Sequence, residues 1–434
     1  EHPDWASNRP TLYPLFSTLY TLMQYNLKAP DRLQATVTLP ASKSISNRVS
    51  ILSALAPEAA PLINLADSDD GRALQHALRS ADETVDIGAA GTAMRFLTAY
   101  FAARPSRTRL LTGSARMRQR PIGLLVDALR GLGADITYTE REGYPPLRIV
   151  GQRLRGGEVT MDSGVSSQFL SALLMVAPTM ERGLQLRLTG ATVSETYLRM
   201  TVGLMRRFGV VVEETDGGRT FRVAPQPIRA VPFTVEADWS AASYWYEMVA
   251  LARDTTATVE LLGLTPDSLQ GDAAIAALFE RLGVRTTFTD RGLRLDRLPS
   301  HRLPERFTCD CVLIPDMAQT LVVTCAALGL PFRFDGLQSL RIKETDRLAA
   351  LQSELRRFGF VLTEHDGRTL QWDGTRCPPE ATPTVATYDD HRMAMAFAPL
   401  ALVRPGGVTI AHPEVVTKSY PRFWDDLRAA GFRF

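Results

Sequence analysis

The sequence predicts an α/β protein in which one unit of about 75 residues is used several times. The first observation is a recurring helix end. An apolar residue and Gly, followed by a strand, appear at Leu132-Gly133-Ala134, Phe208-Gly209-Val210, Leu282-Gly283-Val284, Phe358-Gly359-Phe360 and Ala430-Gly431-Phe432, with the glycines 76, 74, 76 and 72 residues apart. Each Gly suits the position just past a helix, where positive φ is free of steric cost without a Cβ. The second is the pair of hairpin turns Asp216-Gly217 and Asp366-Gly367 between alternating runs. The third is size: 434 residues at 45% hydrophobic content can fill two domains with real cores. A solenoid also has a fixed period, but its repeats are shorter, and the ligand-like clusters here sit at differing offsets.

Composition narrows the partners. Net charge is only +2 and no long basic run occurs, so a nucleic-acid partner is not expected, whereas a local basic cleft for a small anion is. Cys309, Cys311, Cys325 and Cys377 form no Cys-x-x-Cys pair and have no nearby metal-ligand histidines, which suggests reduced thiols in a cytoplasmic protein and no metal. Thr11 to Leu22 is apolar but broken by Pro14, Ser17 and Thr18, without a basic leader or small-residue cleavage site. A signal peptide is not expected there, and residues 1–25 are expected to be a non-native or disordered extension.

Along the chain, five clusters suggest an anionic ligand. Ser42-Lys43-Ser44-Ile45-Ser46-Asn47-Arg48 reads as a hydroxyl-rich loop opening a helix, where free N–H groups and the dipole favour an anion; an ordinary N-cap would look similar. Asp86-Ile87-Gly88-Ala89-Ala90-Gly91-Thr92-Ala93-Met94-Arg95 places glycines before a helix, letting a phosphate approach the backbone. Arg116, Arg118 and Arg120 precede a helix expected to begin near Pro121. Ser163 to Leu170 offers hydroxyls and the Gln168 amide. Finally, Leu340 to Arg347 packs three cations and two carboxylates into an expected helix, with Lys343 and Arg347 on one face. The plain alternative for that last segment is a solvated helix face with a Lys343–Asp346 pair.

Together the motifs resemble one family. Lys-Ser-x-Ser-Asn-Arg at 43–48, Ala-Gly-Thr-Ala-Met-Arg at 90–95, Arg-x-x-x-Arg-Pro at 116–121, Val-Ser-Ser-Gln-Phe-Leu at 165–170, Lys-Glu-Thr-Asp-Arg at 343–347 and Asp-His-Arg-Met-Ala-Met at 390–395 are similar to those of the 5-enolpyruvylshikimate-3-phosphate synthases, a family of enolpyruvyl transferases. The resemblance runs from about Asn26 to Phe434. It implies an inside-out α/β barrel fold: two domains, each of three units around buried parallel helices, with the active site in the cleft between them. Chain crossings near Pro40 to Ser42 and Ala237 to Ser240 would define a discontinuous domain of residues 26–41 plus 239–434 and an inserted domain of 42–238. One departure is visible, because Ala77 to Val85 bridges directly where the family has a longer segment with a helix and hairpin. The first of about six units therefore looks trimmed.

The implied reaction transfers the carboxyvinyl group of phosphoenolpyruvate to the 5-hydroxyl of shikimate 3-phosphate, in aromatic amino-acid biosynthesis, by addition and elimination. No cofactor is implied. By resemblance Asp316 would deprotonate the hydroxyl, Glu344, with a raised pKa, would protonate the methylene carbon, and Lys43 would join them in catalysis. Lys43, Gly91, Arg120, Gln168 and Lys418 would surround the phosphate of phosphoenolpyruvate, and Arg347 and Arg392 its carboxylate. Ser166, Ser167, Ser194 and Lys343 would take the phosphate of shikimate 3-phosphate, with Ser44, Arg48 and Tyr197 on its carboxylate and ring side; Lys43, Gln168, Asp316 and Ser339 would also line that substrate. Taken alone, Ser194 reads as an N-cap and Tyr197 as a core aromatic.

Ala89, Phe96 and Ser339 stand where many members have Asn, Pro and Asn. Members of the family are targets of glyphosate, and Gly91 leaves room for it. A related transferase acting on UDP-N-acetylglucosamine typically carries a reactive cysteine near the arginine cluster, and residues 114–124 contain none. A noncatalytic descendant would lack Asp316 or Glu344, yet both are present. A monomer with small anionic substrates, without nucleic-acid or membrane partners, is expected.

Overall fold

The repeated glycines turn helices into strands through left-handed backbone, with φ of 103, 77, 86, 93 and 95° at Gly133, Gly209, Gly283, Gly359 and Gly431. At four of these ends the residue after Gly donates its N–H back to the last helical turn: Ala134 to Leu129, Val210 to Met205, Phe360 to Leu355 and Phe432 to Leu427. This closure satisfies carbonyls that a helix end otherwise leaves free. The computed structural model describes residues 23–105, 107–162, 164, 166–190 and 195–434.

Four four-stranded sheets follow one plan, a parallel pair extended by an antiparallel hairpin. Thr84–Asp86 pairs in parallel with Thr108–Thr112, which is flanked by Leu147–Val150 and then Asp135–Tyr138. Gly157–Asp162 with Leu184–Thr189, Gln34–Thr38 with Thr258–Leu262, and Phe307–Asp310 with Phe332–Asp335 begin the other three. Parallel neighbours need a crossover, which a buried helix supplies. The first unit is reduced to the parallel pair Leu62–Ile63 and Phe233–Thr234, without a hairpin. It nevertheless keeps a helix, Asp69–Arg79, so only the edge strands are missing.

The remaining sheet joins Gln24–Leu27, Val408–Ala411 and Thr384–Val385. Gln24 and Tyr25 pair with Ala411 and Ile410, so these two residues belong to a sheet and not to the expected extension. The rest of that extension, residues 1–22, lies outside the described residues.

Buried apolar side chains form two clusters, one drawn from Leu27 to Leu39 and Ala237 to Phe432, the other from Ala41 to Val235. In the second cluster the helices Lys43–Leu55, Gly91–Ala102 and Ser167–Val176 pack on one another. In the first, Ala318–Ala327 packs on Trp239–Leu251 and His391–Phe397. These helices are buried on nearly every face, as expected for helices enclosed by other elements. The chain passes between the clusters twice, side by side: Ser42 N–H donates to the Glu236 carbonyl at 2.8 Å and Asp238 N–H to the Pro40 carbonyl at 2.9 Å.

Candidate active site

All six buried helices begin at one cavity of about 410 Å³. Lys43 and Ser44, Gly91 and Thr92, and Ser166 and Ser167 come from one cluster; Asp238 and Ser240, Asp316, and His391 and Arg392 come from the other. Helix N-termini carry unpaired N–H groups and a partial positive charge, so their convergence favours anions before any side-chain charge is counted. The helix starts are set locally. Ser42, Ser166, Asp238 and Asp390 act as N-caps, their side chains accepting from Ile45, Gln168, Ala241 and Arg392 N–H.

Arg347 is the electrostatic centre, with its side chain only 2% exposed. Its Nε donates to Asp390 Oδ2 at 2.7 Å, Nη1 to Asp316 Oδ1 at 3.1 Å and Nη2 to Glu344 Oε2 at 3.0 Å. Glu344 is shared with Lys418 Nζ at 3.0 Å. Asp316 is shared with Arg392 Nη2 at 3.1 Å and Lys343 Nζ at 3.7 Å, and accepts from the Tyr197 hydroxyl at 2.9 Å. Tyr197 belongs to the other cluster, so this bond spans the cleft. Lys43 Nζ lies 3.1 Å from Asp70 Oδ2.

These contacts set the protonation states. Burial pushes Asp316 up, but Arg392, Lys343 and Arg347 together outweigh it and hold the carboxyl well below its ordinary range. Burial likewise pushes Glu344 up, while Arg347 and Lys418 win and hold it well below. The raised Glu344 pKa expected from the sequence is therefore not found, because burial brings two cations with it. Burial works against the Lys43 ammonium, yet Asp70 and Glu344 raise its pKa. His391 is driven well below its usual value by burial, with Lys43 and Arg392 adding to the effect.

The cavity brings together Lys43, Ser44, Arg48, Gly91, Arg120, Ser166, Ser167, Gln168, Tyr197, Asp316, Ser339, Lys343, Glu344, Arg347 and Arg392. Lys418 reaches it through Glu344 while lining a neighbouring groove with Asp69, Asp70 and Asp389. Ser194 lies outside the described residues. Gln168 Nε2 donates to Thr92 Oγ1 at 3.1 Å. Arg48 stacks 5.3 Å from the Phe96 ring centroid and donates to Thr201 Oγ1 at 2.7 Å and to the Ser44 carbonyl at 2.9 Å. Phe96 thus packs against Arg48 and does not line the cavity.

Three local expectations change. Lys343 to Thr345 form a bend, and the helix runs Arg347–Arg357, because Asp346 caps it by accepting from Leu348 and Ala349 N–H at 3.2 Å each. The bend frees Lys343 to face Asp316 and leaves Asp346 paired with Arg341 at 3.2 Å. The helix expected near Pro121 starts at Gly123, since the Ile122 N–H is taken by the Gly143 carbonyl at 2.9 Å. Of the three arginines before it only Arg120 lines the cavity; Arg118 pairs with Glu140 at 3.2 Å and Arg116 is exposed.

Sequence reasoning missed Arg95, Tyr244 and His391 on the cavity wall, along with Asp70 and Asp390 as partners of its cations. His391 is 2% exposed, and neither ring nitrogen hydrogen-bonds to a described residue. Its position between Asp390 and Arg392 was the available signal.

Convergent helix ends, basic side chains and three carboxylates held by one arginine define a class: α/β proteins with a cavity suited to small anions. Comparison with known proteins identifies the member. The family model for EPSP synthase (3-phosphoshikimate 1-carboxyvinyltransferase) matches residues 27–83 and 79–427, its two segments meeting where the first unit is trimmed. The chain is 52% identical over 410 residues to the 3-phosphoshikimate 1-carboxyvinyltransferase of Bacteroides fragilis (strain YCH46), covering 94% of this chain and 98% of that one. It is 38% identical over 432 residues to the enzyme of the same name from Sulfurovum sp. (strain NBC37-1), covering 93% and 98%. A solved EPSP synthase structure from Acinetobacter baumannii shares the fold with a TM-score of 0.75 at 23% identity, over 94% of this chain and 99% of that one. The chain belongs to the EPSP synthase family.

Proposed function

We propose that the cavity performs the family's reaction with the residues just described. The enzyme transfers the carboxyvinyl group of phosphoenolpyruvate to the 5-hydroxyl of shikimate 3-phosphate and releases phosphate. The observation that carries the assignment of roles is that Asp316 and Glu344 occupy two arms of the Arg347 guanidinium inside a cavity fed by six helix N-termini. That arrangement offers two carboxylates a fixed distance from one another and cations for two phosphates.

Asp316, ionised and oriented by Tyr197, accepts the proton of the attacking hydroxyl. Glu344 begins as an anion. When phosphoenolpyruvate binds, its carboxylate and phosphate compete for Arg347, Arg392, Lys418 and Arg120, which weakens their hold on Glu344 and adds like charge beside it. Both changes raise its pKa until it carries the proton needed at the methylene carbon. Protonation makes C2 electrophilic, the hydroxyl oxygen adds, and a tetrahedral ketal phosphate results. Glu344 then takes a proton back from the methyl carbon as the C–O bond to phosphate breaks. Lys43, charged beside Asp70, stabilises the departing phosphate.

Ser166, Ser167, Ser194 and Lys343 receive the phosphate of shikimate 3-phosphate, and Ser44, Arg48, Gln168, Tyr197 and Ser339 complete its surroundings. The Ser339 hydroxyl is buried without a partner among the described residues, which supports a ligand contact. The two core clusters correspond to domains of 26–41 plus 239–434 and 42–238 in an inside-out barrel arrangement that closes over substrate. Among the described residues no helix is long and apolar enough to cross a membrane. The test is phosphate release from phosphoenolpyruvate with shikimate 3-phosphate or UDP-N-acetylglucosamine. Release that needs shikimate 3-phosphate supports the reading; release only with the nucleotide sugar, or with neither, overturns it.

A further inference from the structure

Asp272 is only 6% exposed, lies on the single-turn helix Gly271–Ala274 and reaches the cavity through one intermediary. Ser240 lines the cavity and donates its hydroxyl proton to Asp272 Oδ2. The Ser240 oxygen accepts from Arg392 Nη2 at 3.4 Å, and the same Nη2 stands 3.1 Å from Asp316 Oδ2. The other arm, Nη1, donates to the Asp316 carbonyl at 3.3 Å and to the Tyr244 hydroxyl at 3.5 Å. A serine hydroxyl has a single proton. With that proton committed to Asp272, Ser240 turns only lone pairs toward Arg392, which fixes the direction of the bond between them.

Two neighbours hold Asp272 in place. Gln270 Oε1 accepts from the Trp239 N–H at 3.1 Å and its Nε2 donates to the Ala237 carbonyl at 2.8 Å, so the chain just before Asp272 is tied to the start of the helix that carries Ser240. On the other side Gly271 packs against Thr196 of the opposite cluster, so closely that a Cβ on it would fall 2.3 Å from Thr196 Cβ. Burial, then Asp316 and more weakly Asp238, push the Asp272 carboxyl up to about 7, against the pull of Arg392 and the Ser240 hydroxyl. At pH 8 the carboxyl is therefore mostly ionised and accepts from Ser240.

We propose that Asp272 is a positioning residue for Arg392: through Ser240 it holds the guanidinium where it can meet the carboxylate of phosphoenolpyruvate. This deepens the functional reading and rests on the role given there to Arg392. Without the oriented Ser240 oxygen, Nη2 keeps Asp316 Oδ2 as its acceptor, which draws the guanidinium toward that acid and away from the substrate. The sign of the effect separates positioning from plain electrostatics. An acid near an anion site repels the anion, so removing its charge alone would tighten phosphoenolpyruvate binding. Losing the positioning weakens it.

The test is steady-state phosphate release by the full chain at pH 8, with phosphoenolpyruvate and shikimate 3-phosphate varied in turn, beside a thermal melt of each variant. Asp272→Ala should raise the KM for phosphoenolpyruvate about tenfold, the scale of one lost hydrogen bond to a charged group, and keep kcat and the KM for shikimate 3-phosphate. Ser240→Ala, which removes a single oxygen, should do the same and carries the test alone if Asp272→Ala does not fold. Because the two residues act in one chain, the double variant should also lose about tenfold, where independent effects would multiply to about a hundredfold. Asp272→Asn keeps an oxygen that can accept from Ser240 and should recover most of the loss. An unchanged or lowered KM for phosphoenolpyruvate in Asp272→Ala or Ser240→Ala, equal losses for both substrates with a lowered Tm, multiplying effects, or an Asp272→Asn variant no better than Asp272→Ala would overturn the proposal. Absent turnover in the unaltered chain would instead overturn the functional reading, and this inference with it.

Discussion

Gly91→Ala separates binding from folding at the cavity floor. Gly91 is the first residue of the helix Gly91–Ala102, and a Cβ placed on it would lie 2.5 Å from Arg120 Nη1, 3.1 Å from Cζ and 3.3 Å from Nη2. Carbon contacts settle near 3.5 Å, so the guanidinium must retreat by about 1 Å. Arg120 can do this because the clash falls on the far end of a flexible side chain. The fold loses nothing, since Gly91 has ordinary helical φ and Ala is the better helix former by up to about 1 kcal/mol. What suffers is the contact proposed between Arg120 and the phosphate of phosphoenolpyruvate. A hydrogen bond to a charged group contributes about 1.5–3 kcal/mol. At about 1.4 kcal/mol per factor of ten, the upper limit is a loss of roughly 100-fold, and partial retreat places the expected effect near tenfold. Because the phosphate is held in both ground and transition states, the change should appear as a raised KM for phosphoenolpyruvate with kcat and the KM for shikimate 3-phosphate kept. Steady-state phosphate release with each substrate varied in turn, beside a thermal melt, measures this. An unchanged KM for phosphoenolpyruvate, or equal losses for both substrates with a lowered Tm, would refute the argument.

Two further variants probe buried carboxyls. Glu344→Gln should keep shikimate 3-phosphate affinity by calorimetry and lose about 100-fold or more of turnover, the scale of a general acid; parallel loss of affinity and rate would remove the role. Glu344 also predicts a pH signature: its folded pKa is depressed, so its stabilisation is present above the unfolded value of about 4.3 and disappears as pH falls through the folded one. The Tm difference between wild type and Glu344→Gln should therefore shrink on acidification, and a constant difference would contradict it. Glu247 has the opposite sign. It is fully buried between core helices, burial raises its pKa well above the ordinary value, and Thr324 only partly offsets this. Its stability cost therefore grows as pH rises above about 4.3. Glu247→Gln should raise Tm at pH 8 and do nothing at pH 4; equal effects at both would show that the carboxyl charge is irrelevant.

The legible parts of this protein were those written in short sequence windows. Helix-ending glycines and Asp-Gly turns have local steric causes, so the repeat, and the shortened first unit, could be read from the chain. The motif residues that line the cavity were legible for a related reason, since the clusters around Lys43, Ser167 and Arg347 sit at the start of helices whose caps, Ser42, Ser166 and Asp346, are encoded beside them. Errors arose where a distant partner decided the outcome. Lys343 was placed on a helix because its own window looks helical, whereas the Asp346 cap and the pull of Asp316 set the bend. Glu344 was expected to be protonated because burial alone raises a carboxyl; the sequence does not show that Arg347 and Lys418 are buried with it.

By itself, then, the sequence determined the repeated α/β units, the glycines that end their helices, and most of the polar residues that stand at the helix starts. Tertiary structure decided which ends meet. Asp316 and Tyr197 are 119 residues apart and touch only because two separate cores face each other across the cavity. The charge state of every acid there follows from that assembly, because Coulomb energy depends on distance and burial in three dimensions, neither of which a linear pattern contains.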